Sequence, residues 1–185
     1  ATGARTLAYD ANDNLTEESL GIDGRPYAIR YEYDGLDFLA AITYPSGRTV
    51  RYTPDALGRP TEAAPYATAV AYHPSGPLRQ LTYANGQTTD ITLNDRLWVD
   101  QIRVGGTTPL VELAYGYDAA GNAVAINDLV EPAYDRQMQY DGVDRLTLAT
   151  GAWGTSAIGY DPLGNITSQT LNGSATSYAY ASNRL

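Results

Sequence analysis

The stretch YDPLGNI at Tyr160–Ile166 decides the fold, because the chain keeps returning to it. Close copies are YDANDNL at Tyr9–Leu15, YDGLDFL at Tyr33–Leu39, YHPSGPL at Tyr72–Leu78, YDAAGNA at Tyr117–Ala123 and YDGVDRL at Tyr140–Leu146. Two degraded copies, YTPDALGRP at Tyr52–Pro60 and YASNRL at Tyr180–Leu185, fit between and after them. The one long gap, between Tyr72 and Tyr117, hides a further unit worn down to LNDRL at Leu93–Leu97. Recurrence at roughly twenty residues is the mark of a repeat array, in which each unit packs mainly on its neighbours.

Within the phrase, counting its Tyr as position one, position two is usually Asp and position five is Gly or Asp. Position six is mostly polar and position seven mostly apolar. Gly and Asp tolerate the left-handed conformations needed where a chain reverses, and an Asp at position two can accept backbone amides as an Asx-turn. Upstream of each Tyr the residues alternate, as in Leu7 and Tyr9, Tyr31 and Tyr33, Val70 and Tyr72, Tyr115 and Tyr117, Met138 and Tyr140, Ile158 and Tyr160. A period of two places each pair on one sheet face. Each phrase is therefore a strand end, a polar turn and a strand start.

A second set of turns lies between the phrases. Asp23-Gly24, Asn85-Gly86 and Asn172-Gly173 are dipeptides that favour two-residue hairpins. Pro45-Ser46-Gly47, Gly105-Gly106 and the stretch around Gly151 carry looser versions of the signal. Each unit then has two strands and two turns, which predicts about sixteen to eighteen antiparallel strands for eight or nine units. No sustained 3.6-residue apolar period occurs, so little or no helix is expected. The predicted fold is all-β, antiparallel β-hairpin repeats forming a curled or spiral sheet, with residues 1–185 as a single array.

These residues resemble the YD repeats of RHS proteins, a family that includes bacterial polymorphic toxins, the B and C components of insecticidal toxin complexes, and the teneurins. The resemblance covers Tyr9 to Leu185. It implies a sheet that spirals into a hollow shell around a toxic domain or a cleaved segment. The segment that follows the repeats in the family, with its self-cleaving aspartate machinery, has no counterpart here. The chain lacks an initiator Met, opens just before one phrase and stops inside another, and so reads as a segment of a longer protein or as a processed unit.

Composition narrows the function. Sixteen Tyr stand against one Phe, one Met and two Trp. Tyr suits a thin or partly wet interior, because its ring packs while its hydroxyl reaches water or a backbone partner. Tyrosines stacked from unit to unit are expected to replace a second layer. All twelve basic residues are Arg, and the net charge of −9 argues against nucleic acid and anionic membranes as partners. No apolar run is long enough to insert in a membrane. With no Cys, disulfide and thiolate chemistry are excluded.

His73 is the sole histidine and stands at position two of its phrase, where it reads as a turn residue. Its solitude excludes multi-His metal sites, and its turn position argues against a role in a triad. The carboxylates recur at the same turn positions and offer no singular asymmetric pair for catalysis. Asp10, Asn12 and Asn14 alternate like the start of an EF-hand, but Leu15 and Gly21 stand where its Gly and Glu belong. Glycosylation triplets at Asn14, Asn165 and Asn172 read as by-products of the repeat. The sequence thus names no catalytic, cofactor-binding or metal-ligating residue and predicts no enzyme activity and no cofactor.

The expected role is a structural segment of a shell that encloses or presents a polypeptide such as a toxin cargo, in a secreted or cell-surface bacterial protein. The partners expected are the remaining parts of the parent RHS protein, or identical copies joined through strand edges. Two rival roles are a self-assembling fibre or tube, and a module that binds cell-surface glycans through exposed tyrosines.

Overall fold

The computed structural model describes residues 3–180, with a boundary between two compact units at Thr89 and Asp90. Among the described residues it contains sixteen strands and one short 3-10 turn at Pro132–Tyr134. In the first unit, β1 (Ala4–Tyr9), β2 (Leu15–Ile22), β3 (Arg25–Tyr33), β4 (Leu39–Thr43) and β5 (Thr49–Arg51) form an antiparallel sheet in chain order. A hairpin of β6 (Ala67–Tyr72) and β7 (Leu78–Tyr83) follows. The boundary between the units falls inside β8 (Thr88–Leu93).

The second unit continues with β9 (Val99–Gly105), β10 (Pro109–Tyr117), β11 (Ala123–Asp128) and β12 (Arg136–Tyr140). It ends with β13 (Leu146–Gly151), β14 (Gly154–Tyr160), β15 (Ile166–Leu171) and β16 (Ser174–Ser177). From β9 to β16 every strand pairs antiparallel with its neighbours in the chain. The chain is all-β and made of antiparallel hairpin repeats, as its alternation and turn residues predict.

The phrase sets the register. Its Tyr pairs with its own seventh residue: Tyr9 with Leu15, Tyr33 with Leu39, Tyr72 with Leu78, Tyr117 with Ala123, Tyr140 with Leu146 and Tyr160 with Ile166. One step further the pairing skips a residue each time, leaving Thr16, Ala40, Arg79, Val124, Thr147 and Thr167 as bulges. A bulge of this kind bends its strand and increases the local twist. Nothing in the phrase announces it.

Position five adopts positive φ throughout, at Asp13 (65°), Asp37 (63°), Gly76 (111°), Gly121 (100°), Asp144 (62°) and Gly164 (89°). This is the conformation expected from Gly and Asp at that place. The amide at position two donates to the carbonyl at position six, and that at position five donates to the carbonyl at position two. In the last phrase these are Asp161 to Asn165 at 2.9 Å and Gly164 to Asp161 at 3.1 Å.

Two expectations about turns are corrected, at Tyr52–Pro60 and at Asn85-Gly86, while the worn unit is borne out. In YTPDALGRP the position-one residue is Pro54 and not Tyr52: the Asp55 amide donates to the Arg59 carbonyl, Gly58 has φ 75°, and Pro54 pairs with Pro60. The turn is set by Asp-x-x-Gly, and that pattern starts two residues after the place where the letter Tyr suggests. In the worn unit the phrase is complete in shape, with Leu93 as its first residue and Leu97 bearing the positive φ of 62°. Asn85-Gly86 is not a two-residue hairpin. The Tyr83 amide donates to Gln87 and the Gly86 amide to Tyr83, which repeats the hydrogen bonds of a phrase turn. Asp23-Gly24 and Asn172-Gly173 do close two-residue hairpins, with Ile22 opposite Arg25 and Leu171 opposite Ser174.

The copy at Tyr180–Leu185 lies outside the described residues beyond position 180. Among the described residues, only Ala41, Val50 and Ala67 are buried apolar side chains, and no polar or charged residue is buried. A conventional two-layer core is absent from this part of the chain. Hydrogen bonds and half-buried rings carry the cohesion.

Candidate functional site

The feature that recurs is the seam where one phrase meets the next, and it begins inside the turn. The position-two carboxylate caps its own loop: Asp161 Oδ1 accepts the amides of Leu163 and Asn165, both at 2.9 Å. Asp10, Asp34, Asp55, Asp118 and Asp141 do the same for the amides two and four residues on. Asn94 substitutes with its side-chain carbonyl in the worn unit. The second carboxylate oxygen takes the position-six side chain, as in Asn165 to Asp161 at 2.8 Å and Arg145 to Asp141 at 2.7 Å.

These contacts hold several of the carboxyls below the usual range. The side chains of Arg59, Asn122 and Asn165 are the leading cause at Asp55, Asp118 and Asp161 respectively. At Asp10 and Asp141 the leading cause is the backbone amide of Asn14 or Arg145. A carboxylate held ionised in this way serves as an acceptor and is a poor proton donor.

Between phrases the Tyr does the joining. Its hydroxyl donates to the carbonyl of the seventh residue of the preceding phrase. The bonds run from Tyr33 to Leu15 at 3.0 Å, Tyr72 to Pro60 at 2.9 Å and Tyr117 to Val99 at 2.9 Å. Tyr140 to Ala123 at 3.0 Å and Tyr160 to Leu146 at 2.9 Å complete the set. Burial pushes the Tyr33 and Tyr117 hydroxyls up, so they stay protonated as donors.

The expected stack of tyrosine upon tyrosine is not what covers the rings. Among the described residues the aromatic pair is Trp98 with Tyr117, tilted at 52° with centroids 5.1 Å apart. Guanidinium groups cover two others: Arg59 lies 4.6 Å from the Tyr72 ring centre and Arg145 lies 4.6 Å from that of Tyr160. Trp98, Arg59 and Arg145 all occupy position six of the phrase before. Spacing of about twenty residues places successive Tyr rings on separate hairpins, and the position-six side chain fills the space between.

Tyr66, outside the phrase, is 49 % exposed yet accepts a hydrogen bond from Arg48 at 2.6 Å. His73 holds its turn through the backbone, its amide donating to Pro77 at 2.8 Å. The amide nitrogens of all three glycosylation triplets are engaged: Asn14 with Asp10 and Asp37, Asn165 with Asp161, and Asn172 with the Trp153 carbonyl. A cleft of about 530 Å³ is lined by Asn94, Arg96, Trp98, Tyr115, Tyr117 and Asp118. Arg96 and Tyr117 lie against its Trp98 ring, the guanidinium 5.1 Å from the ring centre.

A family model described as RHS Repeat matches residues 9–49 and 33–66, the span that holds the first two phrases and the Pro54 phrase. Residues 9–66 carry RHS repeats. No curated protein matches this chain in sequence. Among solved structures, a TcdB2-TccC3 crystal structure without its hypervariable C-terminal region is similar over 96% of this chain, at 15% identity and TM-score 0.81. TcdB2-TccC3-TEV matches over 96% at 16% identity and TM-score 0.83. The Photorhabdus luminescens Tc holotoxin pore matches over 89% at 18% identity and TM-score 0.77. This chain spans only 12%, 12% and 11% of those three chains respectively. At such identities the likeness is one of fold.

Proposed function

We propose that this RHS chain is a structural wall segment of a larger bacterial protein, secreted or displayed at the cell surface. Its task is to help enclose or present another polypeptide, without a catalytic step of its own. The observation that carries this reading is the repeated seam: five phrase tyrosines bond back to the preceding phrase. Five units thereby use their most distinctive side chain to hold the neighbour before them, which is the chemistry of a wall. The partners are the rest of the parent protein and a polypeptide cargo.

Identical copies joined at strand edges are a second reading, favoured by β1. Among the described residues β1 pairs on one side only, is exposed along its whole length, and carries a single charged residue, Arg5, paired with Glu18. A strand edge so lightly guarded invites another strand. The glycan-binding alternative has less support, because Arg59 and Arg145 cover the faces a sugar would need.

Light scattering of the purified chain across a concentration series tests both readings. The expected result is a mass that rises with concentration, or that becomes discrete only when the flanking array is restored. A compact, strictly monomeric particle that hydrolyses or tightly binds a glycan would overturn the proposal.

A further inference from the structure

At four seams among the described residues the side chain at position six of one phrase meets the residue at position five of the next, and the two residue types go together. Asn14 donates to Asp37 at 2.7 Å, and Asn122 donates to Asp144 at 2.7 Å. Where position six is aromatic, the next position five is Gly. A Cβ added at Gly58 would lie 2.7 Å from the Phe38 ring, and one added at Gly121 would lie 3.0 Å from Trp98. Arg is the permissive partner: a Cβ at Gly164, after Arg145, meets nothing within 4 Å.

We propose that these two positions form matched pairs that specify which phrase can sit beside which. Asn selects Asp, and an aromatic ring selects Gly. The physical basis is mutual exclusion. An Asp facing Phe38 would press its Cβ into the ring and lack the amide donor that Asp37 and Asp144 have. A Gly facing Asn14 or Asn122 would leave that amide without its partner across the seam.

All phrases share one outline, so backbone alone does not distinguish the native neighbour from one displaced by a unit or supplied by another copy. The pairs do distinguish them. A Tyr33 phrase laid after its own equivalent from a second copy would set Phe38 against Asp37. Specificity of this kind works through the penalty on wrong partners as well as the gain on the right one. The inference concerns the order of the phrases and stands apart from what the wall encloses.

The test places one substitution in two settings with similar backbone. Gly58 and Gly164 have φ of 75° and 89°, so Gly58→Asp and Gly164→Asp carry comparable conformational strain. Gly58→Asp is expected to lower Tm by roughly 3 °C or more relative to Gly164→Asp. The double variant Phe38→Asn/Gly58→Asp is expected to recover most of that loss, because it rebuilds the Asn–Asp pair. The reverse exchange in the other unit, Asn122→Phe with Asp144→Gly, should likewise be more stable than Asn122→Phe alone. If Gly58→Asp proves insoluble, rescue by Phe38→Asn still reads the pairing. Equal tolerance of Asp at positions 58 and 164, or purely additive effects in both exchanges, would overturn it.

Discussion

The Tyr160 hydroxyl donates to the Leu146 carbonyl at 2.9 Å while the Arg145 guanidinium lies over the Tyr160 ring. Consecutive residues of one phrase thus hold the same side chain of the next, one by hydrogen bond and one by cation–π contact. The two contributions are separable by substitution.

Tyr160→Phe keeps the ring and removes the donor, and is expected to cost about 0.5–1.5 kcal/mol. Tyr160→Ala removes both and should cost about 3 kcal/mol, the low end for truncating a large aromatic, because the ring is only half-buried. Tyr27→Ala, at a residue 45 % exposed and outside the phrase, should be milder than either effect of truncation at 160. Urea denaturation would check the order, and a Phe variant as damaged as the Ala variant would contradict it.

Gly164→Val should destabilise by more than about 1 kcal/mol, since the positive φ of 89° excludes β-branched residues. Space is not the obstacle, because nothing lies within 4 Å of an added Cβ. Gly164→Asp is expected to be milder, as Asp13, Asp37 and Asp144 adopt φ near that region at the same position. Identical melting curves for the two variants would show that the left-handed backbone is not the constraint.

Acid should weaken the array. The Asp10, Asp55, Asp118, Asp141 and Asp161 carboxyls are lowered by the hydrogen bonds of their own loops. A folded-state value below the unfolded one means the unfolded chain binds more protons in acid, so stability rises with pH. The contribution is complete above about pH 5 and is lost as pH falls through the lowered values. Changing Asp118, Asp141 and Asp161 together to Asn should flatten this acid dependence while lowering stability at pH 7. Urea midpoints measured from pH 7 to pH 3 would decide, and a midpoint that climbs on acidification would refute the linkage.

Asn172→Ala should cost about 1–2 kcal/mol although the residue is exposed. Its side chain accepts the Thr155 amide at 2.9 Å and donates to the Trp153 carbonyl at 2.8 Å, so it clips two successive hairpin turns together. Asn172→Asp keeps the acceptor and loses the donor, and should fall between Ala and wild type. Thermal melts that place Asp below Ala would rule out this account.

The sequence carried the strands and most turns, because alternation and the Asp-x-x-Gly pattern are local. Tyr52 shows the limit: a Tyr in the alternating strand resembles a Tyr that opens a phrase, and only the spacing from Asp55 to Gly58 separates them. Asn85-Gly86 misled for a related reason, since a dipeptide suited to a two-residue hairpin fits equally well inside a longer turn. The bulges fall on Thr at 16, 147 and 167 but on Ala40, Arg79 and Val124 elsewhere, so no one residue type marks them in the letters. The seam itself was half legible. A backbone partner for the Tyr hydroxyl follows from its chemistry, but which carbonyl, and the arginine over the ring, depend on how one hairpin lies on the next.

Five phrase hydroxyls, those of Tyr33, Tyr72, Tyr117, Tyr140 and Tyr160, reach back to a residue that was translated earlier, across separations of 12 to 18 residues. As the chain leaves a ribosome or a secretion channel, the acceptor is therefore already outside when its donor arrives. Closing so short a segment costs little entropy, and contacts this local form quickly. The wall can thus accrete from its amino-terminal side, each new unit fastening itself to finished structure without waiting for sequence still to come.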